Sequence, residues 1–146
     1  MQMRLLWYLK TACKSVVLIG IWFMFSGFVY VKINDVELKI KLEQNSSARA
    51  FYDLVKSSDE KIIMSDYGGF EKVGKLSQKL PINDKFFKAK ALDVILYNAN
   101  YLVIYYDDNS WSFTKLGKII NISEDELKKL LGKGEINARF YVKEDK

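Results

Sequence analysis

The chain has 146 residues, 49% apolar and 14% aromatic, so it can bury an ordinary core and is not expected to be disordered. Its formal charge is +5, but Arg4, Lys10 and Lys14 supply three of these charges within the first fourteen residues, which contain no acid. The remaining chain holds 20 of the 23 basic residues against all 18 acidic ones, a balance that predicts no nucleic-acid partner.

The N-terminal segment combines a basic start with an apolar run. Residues 15–31 hold no charged residue, and seventeen positions are the lower limit for a helix that spans a bilayer. Residues 28–33 also have the pattern of a strand, and a strand there would leave an apolar core of signal-peptide length. The single cysteine, Cys13, excludes an intrachain disulfide and precedes the apolar run, so lipidation is not expected.

This segment predicts a signal anchor over residues 1–27, followed by one folded domain over residues 28–146. An Ala-x-Ala-like cleavage site is absent, which favours an uncleaved anchor. The positive-inside rule places its basic end in the cytoplasm and the domain outside it, with the membrane as a partner through this segment. The alternatives are cleavage, which gives a secreted protein, and translation from Met24, which gives a cytoplasmic one.

The first elements of the domain are a predicted hairpin and a helix. Val36–Leu42 alternates apolar and charged residues, as a half-buried strand requires, and 28–33 is its expected partner across an Asn34-Asp35 turn. Asn45 and the two serines after it would cap a helix over residues 47–56. Four apolar residues share one side of this helix: Ala48, Phe51, Tyr52 and Val55.

A turn-rich segment and a long loop are expected next. After a short strand at Lys61–Ser65, the paired glycines within Asp66–Lys72 permit backbone angles that other residues avoid. No phosphate-binding or dinucleotide motif accompanies them, so no cofactor is expected. Residues 74–90 predict a loop that contains the only proline.

Three β-rich runs between residues 92 and 120 predict the centre of an antiparallel sheet. Polar breaks at Asn98–Asn100 and Asp107–Ser110 separate them. Further on, Ser123 and Glu126 form a capping box for a short helix that is expected to stop at Gly132. The chain then closes with an alternating strand over residues 136–142.

Several of these segments occur in a fixed order: Ser47–Phe51, Ser65–Gly74, Leu80-Pro81 with Asn83-Asp84, Asp93–Tyr97, Leu102–Tyr106 and Ser110–Ile119. This series, from about Val29 to Val142, resembles the bacterial cyclophilin-like domain family. The resemblance implies a mainly β fold, namely a small closed antiparallel β-barrel of about eight strands with two short helices over its ends. The family usually begins its central strand with Gly-Asp, whereas this chain has Leu92-Asp93, so that turn is expected to differ.

The residue types disfavour most catalytic classes. The chain has no histidine, which excludes a Ser-His or Cys-His nucleophile and a histidine-ligated zinc site. It also disfavours the isomerase activity of true cyclophilins, whose site uses a histidine and a strand arginine. Asp107 and Asp108 are adjacent on a predicted turn and would point to opposite sides, which is typical of a solvated turn. No metal site and no catalytic residue is predicted.

The function predicted from these patterns is a non-catalytic module that binds a small ligand or a peptide at a mouth of the barrel. Its candidate ligand-binding residues are Arg49, Asp66, Tyr67, Phe70, Glu71, Asn98 and Trp111. Arg49 is open to two interpretations, a surface ion pair with Asp53 one helical turn away or an anion-binding group. The alternative function is a weak prolyl isomerase that acts by distortion in an apolar groove.

Overall fold

The computed structural model describes Phe25 and residues 27–144. The predicted anchor, with its end near residues 26–27, therefore lies almost wholly outside the described residues. Within the described part, no helix combines the length and apolar character needed to cross a membrane. The elements there are nine strands and two helices: β1 (Phe28–Ile33), β2 (Val36–Leu42), α1 (Ser46–Ser57), β3 (Glu60–Tyr67), β4 (Glu71–Lys75), β5 (Lys85–Ala89), β6 (Asp93–Tyr97), β7 (Tyr101–Tyr105), β8 (Asn109–Ile119), α2 (Glu124–Leu131) and β9 (Ile136–Tyr141).

The strands pair antiparallel in one ring-like sheet. Its order is β2-β1-β9-β3-β4-β7-β6-β8, and a further pairing between β2 and β8 connects the two ends of this series. Gly117 of β8 is paired with Leu42 there, and a Cβ at Gly117 would lie 2.5 Å from the Lys41 carbonyl oxygen. Glycine therefore permits the close approach of the two strands. The predicted mainly β fold is confirmed.

The first hairpin and the second helix form as the sequence predicts. Residues 28–33 pair with residues 36–41, and both turn residues, Asn34 and Asp35, have positive φ, as a two-residue hairpin turn requires. At the start of α2, the Ser123 side chain accepts from the Glu126 backbone N–H, and the Glu126 carboxylate accepts from the Ser123 N–H. These local motifs are reliable because their hydrogen bonds are made within a few residues.

The main core fills the face that the ring encloses. Seven of the eight strands of the ring contribute aliphatic or aromatic side chains to it, and both helices pack against it; β4 instead turns Lys72 and Gly74 toward this face. β6 and β7 are apolar on both faces, however, because Leu96 and Ile104 face this core while Ile95, Val103 and Tyr105 face outward. This explains their unbroken apolar sequence, since a strand covered on one face only would alternate.

β5 corrects the predicted loop over residues 74–90. This five-residue strand pairs only with the first half of β8 among the described residues, and Phe87 lies opposite Trp111. Its phenylalanines, Phe86 and Phe87, are adjacent and therefore point to opposite faces, which removes the alternation that would have predicted a strand. With β5 the sheet has nine strands, whereas the resemblance implied about eight.

The turn into β6 was expected to differ because Leu92-Asp93 stands in place of the family's usual Gly-Asp, but its backbone has a conformation that suits glycine. Leu92 has φ +81°, a left-handed conformation that costs a residue with a Cβ energy and favours glycine. Its N–H donates to the Tyr105 carbonyl at 3.0 Å, and its carbonyl accepts from the Ile119 N–H at 2.9 Å. Leu92 is also buried in the main core, so packing compensates for the backbone strain.

Candidate functional site

A pocket of about 470 Å³ opens on the outer face of the ring, away from the main core. β4, β6 and β7 form its floor, and the first half of β8 and the β3–β4 turn form its sides. Its volume falls within the range of small-molecule sites. We call it the aromatic pocket, and it is lined by Tyr67, Phe70, Glu71, Val73, Tyr97, Tyr101, Val103, Tyr105, Asn109, Trp111 and Phe113.

Strand alternation delivers these side chains to one face. Glu71 and Val73 are two residues apart on β4, and they pair with Tyr105 and Val103 of β7, so all four point outward together. The same alternation on β8 places Asn109, Trp111 and Phe113 on the face of that strand that borders the pocket. β5 supports them from behind through pairing with this part of β8.

The turn between β3 and β4 holds two of the aromatic rings at one side of the pocket. Gly68 and Gly69 have φ values of +62° and +74°, which confirms that the paired glycines make a tight turn. Tyr67 before them and Phe70 after them meet edge to face, with ring centroids 6.2 Å apart. The turn therefore projects an aromatic pair into the pocket.

Packed rings make the floor rigid and leave the rim open. Phe70 stacks on Tyr105 at 6.1 Å, Tyr105 contacts Phe113 at 5.8 Å, and Phe113 meets Phe87 of β5 edge to face at 4.8 Å. Tyr105 and Phe113 are buried. Tyr67 and Trp111 are 65% and 57% exposed, which is high for large aromatic side chains and leaves their ring faces free for a ligand.

Glu71 is the one acidic side chain among the lining residues, and the lining has no basic one. Burial raises the pKa of its carboxyl above the ordinary value, and the neighbouring Tyr105 hydroxyl opposes part of that rise. Burial and the Glu71 carboxylate together raise the pKa of Tyr105. The Asn109 amide donates to the Tyr105 hydroxyl at 3.2 Å, so the three polar groups form a short row across the floor.

Asp66 does not line the pocket, although the sequence predicted it as a binding residue. It is paired with Lys72 in the sheet, and both side chains point to the opposite face from Tyr67 and Glu71. The fully buried Lys72 ammonium lies 3.0 Å from the Asp66 carboxylate. A hydrogen bond from Tyr106, together with Lys72, lowers the pKa of Asp66. Asp66 therefore serves as the counter-charge of a buried lysine.

Arg49 and Asn98 also lie outside the pocket lining. Arg49 is exposed on α1, and its guanidinium lies 5.4 Å from the centre of the Phe25 ring. The predicted ion pair with Asp53 is not present among the ion pairs of the described residues, because the arginine side chain turns toward the aromatic ring instead. Asn98 has φ +49° and is an exposed turn residue between β6 and β7.

Four of the seven predicted residues, Tyr67, Phe70, Glu71 and Trp111, therefore meet in one pocket. The prediction placed the binding rim at a barrel mouth, whereas this pocket is on the outer face. Sequence reasoning missed the other lining residues, which lie on β4, β6, β7 and β8. Their signal was the unbroken apolar pattern of β6 and β7, which indicates a second covered face. The missed residues are Val73, Tyr97, Tyr101, Val103, Tyr105, Asn109 and Phe113.

The adjacent carboxylates Asp107 and Asp108 lie outside the aromatic pocket. No group of three or more acidic or cysteine side chains is placed to hold a metal ion in this part of the chain. Asp107 and Asp108 form the solvated turn that the sequence predicts. Asp107 accepts from the Asp108 N–H, and Asp108 lies 3.1 Å from the Lys88 ammonium at the surface.

Comparisons with known proteins agree with the resemblance seen in the sequence. The sequence model of the cyclophilin-like family matches residues 31–141. The solution structure of a hypothetical protein from Archaeoglobus fulgidus is similar, with a TM-score of 0.61 and 13% identity, over 84% of this chain and 98% of the archaeal chain. At this identity the likeness shows a shared fold alone. A comparison with curated proteins found no match.

Proposed function

The chain belongs to the cyclophilin-like family, and we propose that it is a binding module that takes a small ligand or a peptide segment in the aromatic pocket. The observation that carries this proposal is a largely apolar, concave site with a few polar groups at its floor. Small-molecule sites commonly have this composition, because apolar walls supply affinity and few polar groups fix orientation. The ring, which the β2–β8 pairing connects end to end, would act as a small closed barrel that holds the site rigid.

We propose that binding at this site is not accompanied by catalysis. The two arginines of the described chain, Arg49 and Arg139, both lie away from the pocket lining, so neither supplies the arginine that a cyclophilin-type isomerase requires. The alternative, weak isomerisation, would depend on distortion of a proline segment against the aromatic floor. A proline-peptide exchange assay distinguishes the two, since the uncatalysed reaction takes about tens of seconds and modest catalysis is easily seen.

Binding is tested with full-length protein and N-phenyl-1-naphthylamine, a neutral aromatic probe whose fluorescence rises in apolar sites. Trp111→Ala removes a rim aromatic, and we expect it to weaken saturable binding about tenfold, because tryptophan contacts are among those whose truncation costs more than about 1 kcal/mol. Phe86→Ala is the matched control, because Phe86 lies on the paired strand β5, faces away from the pocket and is 76% exposed. It should bind the probe like the wild type.

The comparison of the two variants decides the outcome. Equal weakening by Trp111→Ala and Phe86→Ala, or unchanged binding in both, would show that the probe binds elsewhere and would overturn the pocket assignment. Association of the probe with the apolar N-terminal segment responds to neither substitution, so it cannot imitate the expected result.

We also propose that the N-terminal segment tethers this module at a membrane, with the domain outside the cytoplasm. The support is the uncharged run that follows a basic start, together with the assignment of residues 28–33 to β1, which leaves residues 1–27 for the anchor. The test is a fusion of a reporter that is active only in the cytoplasm, placed after Lys146. We expect the fusion protein to be found in the membrane fraction and its reporter to be inactive. An active reporter in the soluble fraction would instead support translation from Met24.

A further inference from the structure

The aromatic pocket contains a negative charge and no positive one. Seven of its eleven lining residues are aromatic, one is the carboxylate Glu71, and none is basic. Resting on the proposed binding function, we infer that the ligand is a cation with apolar substituents, of the quaternary ammonium or methylated amine class. Aromatic faces attract such cations through their quadrupole, and the attraction is strongest for tryptophan and tyrosine.

The rim of the pocket offers exposed aromatic rings from three strands. Tyr67, Tyr97 and Trp111 are each at least 43% exposed, and they approach the pocket from β3, β6 and β8 respectively. Tyr67 is held by edge-to-face contact with Phe70. A cation in the pocket would meet the electron-rich faces of these rings, whereas a phosphate or a carboxylate would meet ring faces of the same sign of charge.

Glu71 supplies the complementary charge. Among the described residues, no lysine or arginine nitrogen pairs with its carboxylate, although seven other ion pairs form there. Lys72, its neighbour in sequence, is directed to the opposite face, where Asp66 and the carbonyls of Gly132 and Gly134 take up its charge. A half-buried carboxylate without a counter-charge is costly, and a bound cation would remove that cost.

The alternative role of Glu71 is structural, as a hydrogen-bonding partner of Tyr105 that needs no ligand. This role predicts that a ligand's charge makes no difference to its affinity. The two interpretations are therefore separated by a pair of probes with the same shape and different charge. Choline and 3,3-dimethyl-1-butanol form such a pair, because a quaternary carbon replaces the quaternary nitrogen.

The experiment measures the binding of both probes to full-length protein by titration calorimetry. We expect choline to bind about tenfold more tightly than 3,3-dimethyl-1-butanol, because the attraction of the Glu71 carboxylate adds to a preference of the aromatic rings for the cation that is below about threefold. Glu71→Gln keeps the side-chain shape and should reduce this ratio below about threefold, because only the aromatic contribution remains. Glu124→Gln, an exposed carboxylate on α2, is the control and should leave the ratio unchanged.

The remaining outcomes separate this inference from the proposed function. Equal affinity for the two probes in the wild type would overturn the cationic ligand class while leaving the pocket as a binding site. A ratio that Glu71→Gln does not change would also overturn it, since the selectivity would arise elsewhere. Failure of both probes overturns the inference, and if N-phenyl-1-naphthylamine also fails to bind, the proposed function is overturned with it.

Discussion

The two faces of the sheet are built from the same strands but differ in composition. The enclosed face is mainly aliphatic and is covered by two helices, whereas the outer face over β4, β6 and β7 is mainly aromatic, partly open and contains an acidic group. Val94 and Leu96 point inward, and Ile95 between them points outward. The comparison indicates that the enclosed face provides stability, whereas the outer face leaves accessible the pocket that we propose for binding.

Two lysines of β4 test this comparison, and one of them gives the largest expected change in stability. Lys72→Met would leave Asp66 and the carbonyls of Gly132 and Gly134 without their cation, so we expect a loss of about 2–4 kcal/mol in the free energy of unfolding. Lys75→Met on the same strand changes an exposed lysine and should cost less than about 0.5 kcal/mol. Urea unfolding of both variants checks this, and equal losses would contradict it.

Two valines on adjacent strands give a matched test of the two faces. Val94→Ala on the enclosed face should cost about 2–3 kcal/mol, because it loses apolar burial and leaves a closed cavity. Val103→Ala removes the same two carbons from the pocket floor and should cost only about 1 kcal/mol, because the space joins an existing opening. Urea midpoints that fall equally in the two variants would show that the outer face is packed like the core.

The fold was predictable from the sequence where the signals are local. The Asn34-Asp35 turn and the Ser123 capping box each depend on hydrogen bonds within a few residues, and both formed as predicted. β5 was missed because it is short, has lysines within it and gains its place only through pairing with β8. The residues that β5 contacts are distant in sequence, and no pattern inside Lys85–Ala89 predicts these contacts.

The site was predictable only in part, for a geometric reason. Tyr67, Phe70, Glu71 and Trp111 were proposed for the binding rim because polar and aromatic residues near turns favour exposure, and all four line the pocket. Asp66 was included by the same reasoning, but its side chain points to the opposite face from Tyr67. Assigning each residue to a face required the register of β3 and β4, which the sequence alone does not give.

A smaller effect on stability is expected at Leu92, in the turn into β6. Leu92 combines a positive φ with burial, so Leu92→Ala loses packing and keeps the strain, whereas Leu92→Gly loses packing and relieves the strain. We expect the glycine variant to be more stable than the alanine variant by about 1 kcal/mol, the reverse of the order in a regular strand. Differential scanning calorimetry of both proteins measures the order. An alanine variant of equal or higher stability would refute the proposed compensation.

The smallest effect concerns Glu71 in the absence of ligand, and it has a defined sign. Because the folded-state pKa of Glu71 is raised, the folded protein binds its proton more tightly than the unfolded chain. The stability from this group is therefore fully present below the ordinary pKa of 4.5 and is lost as the pH rises through the raised value. Glu71→Gln removes this titration. As the pH rises through the raised pKa, the unfolding free energy of the variant should therefore fall less than that of the wild type.

At neutral pH the same substitution should leave stability unchanged or slightly higher, since it removes a half-buried charge that has no counter-charge. The Tyr105 hydroxyl beside Glu71 stays protonated over this range, because burial and the Glu71 carboxylate raise its pKa above the ordinary value. Urea unfolding of both proteins at acidic and neutral pH measures the difference. A marked loss of stability in Glu71→Gln at neutral pH would mean that the carboxylate supports the fold, and the outer face would then share the structural role of the enclosed one.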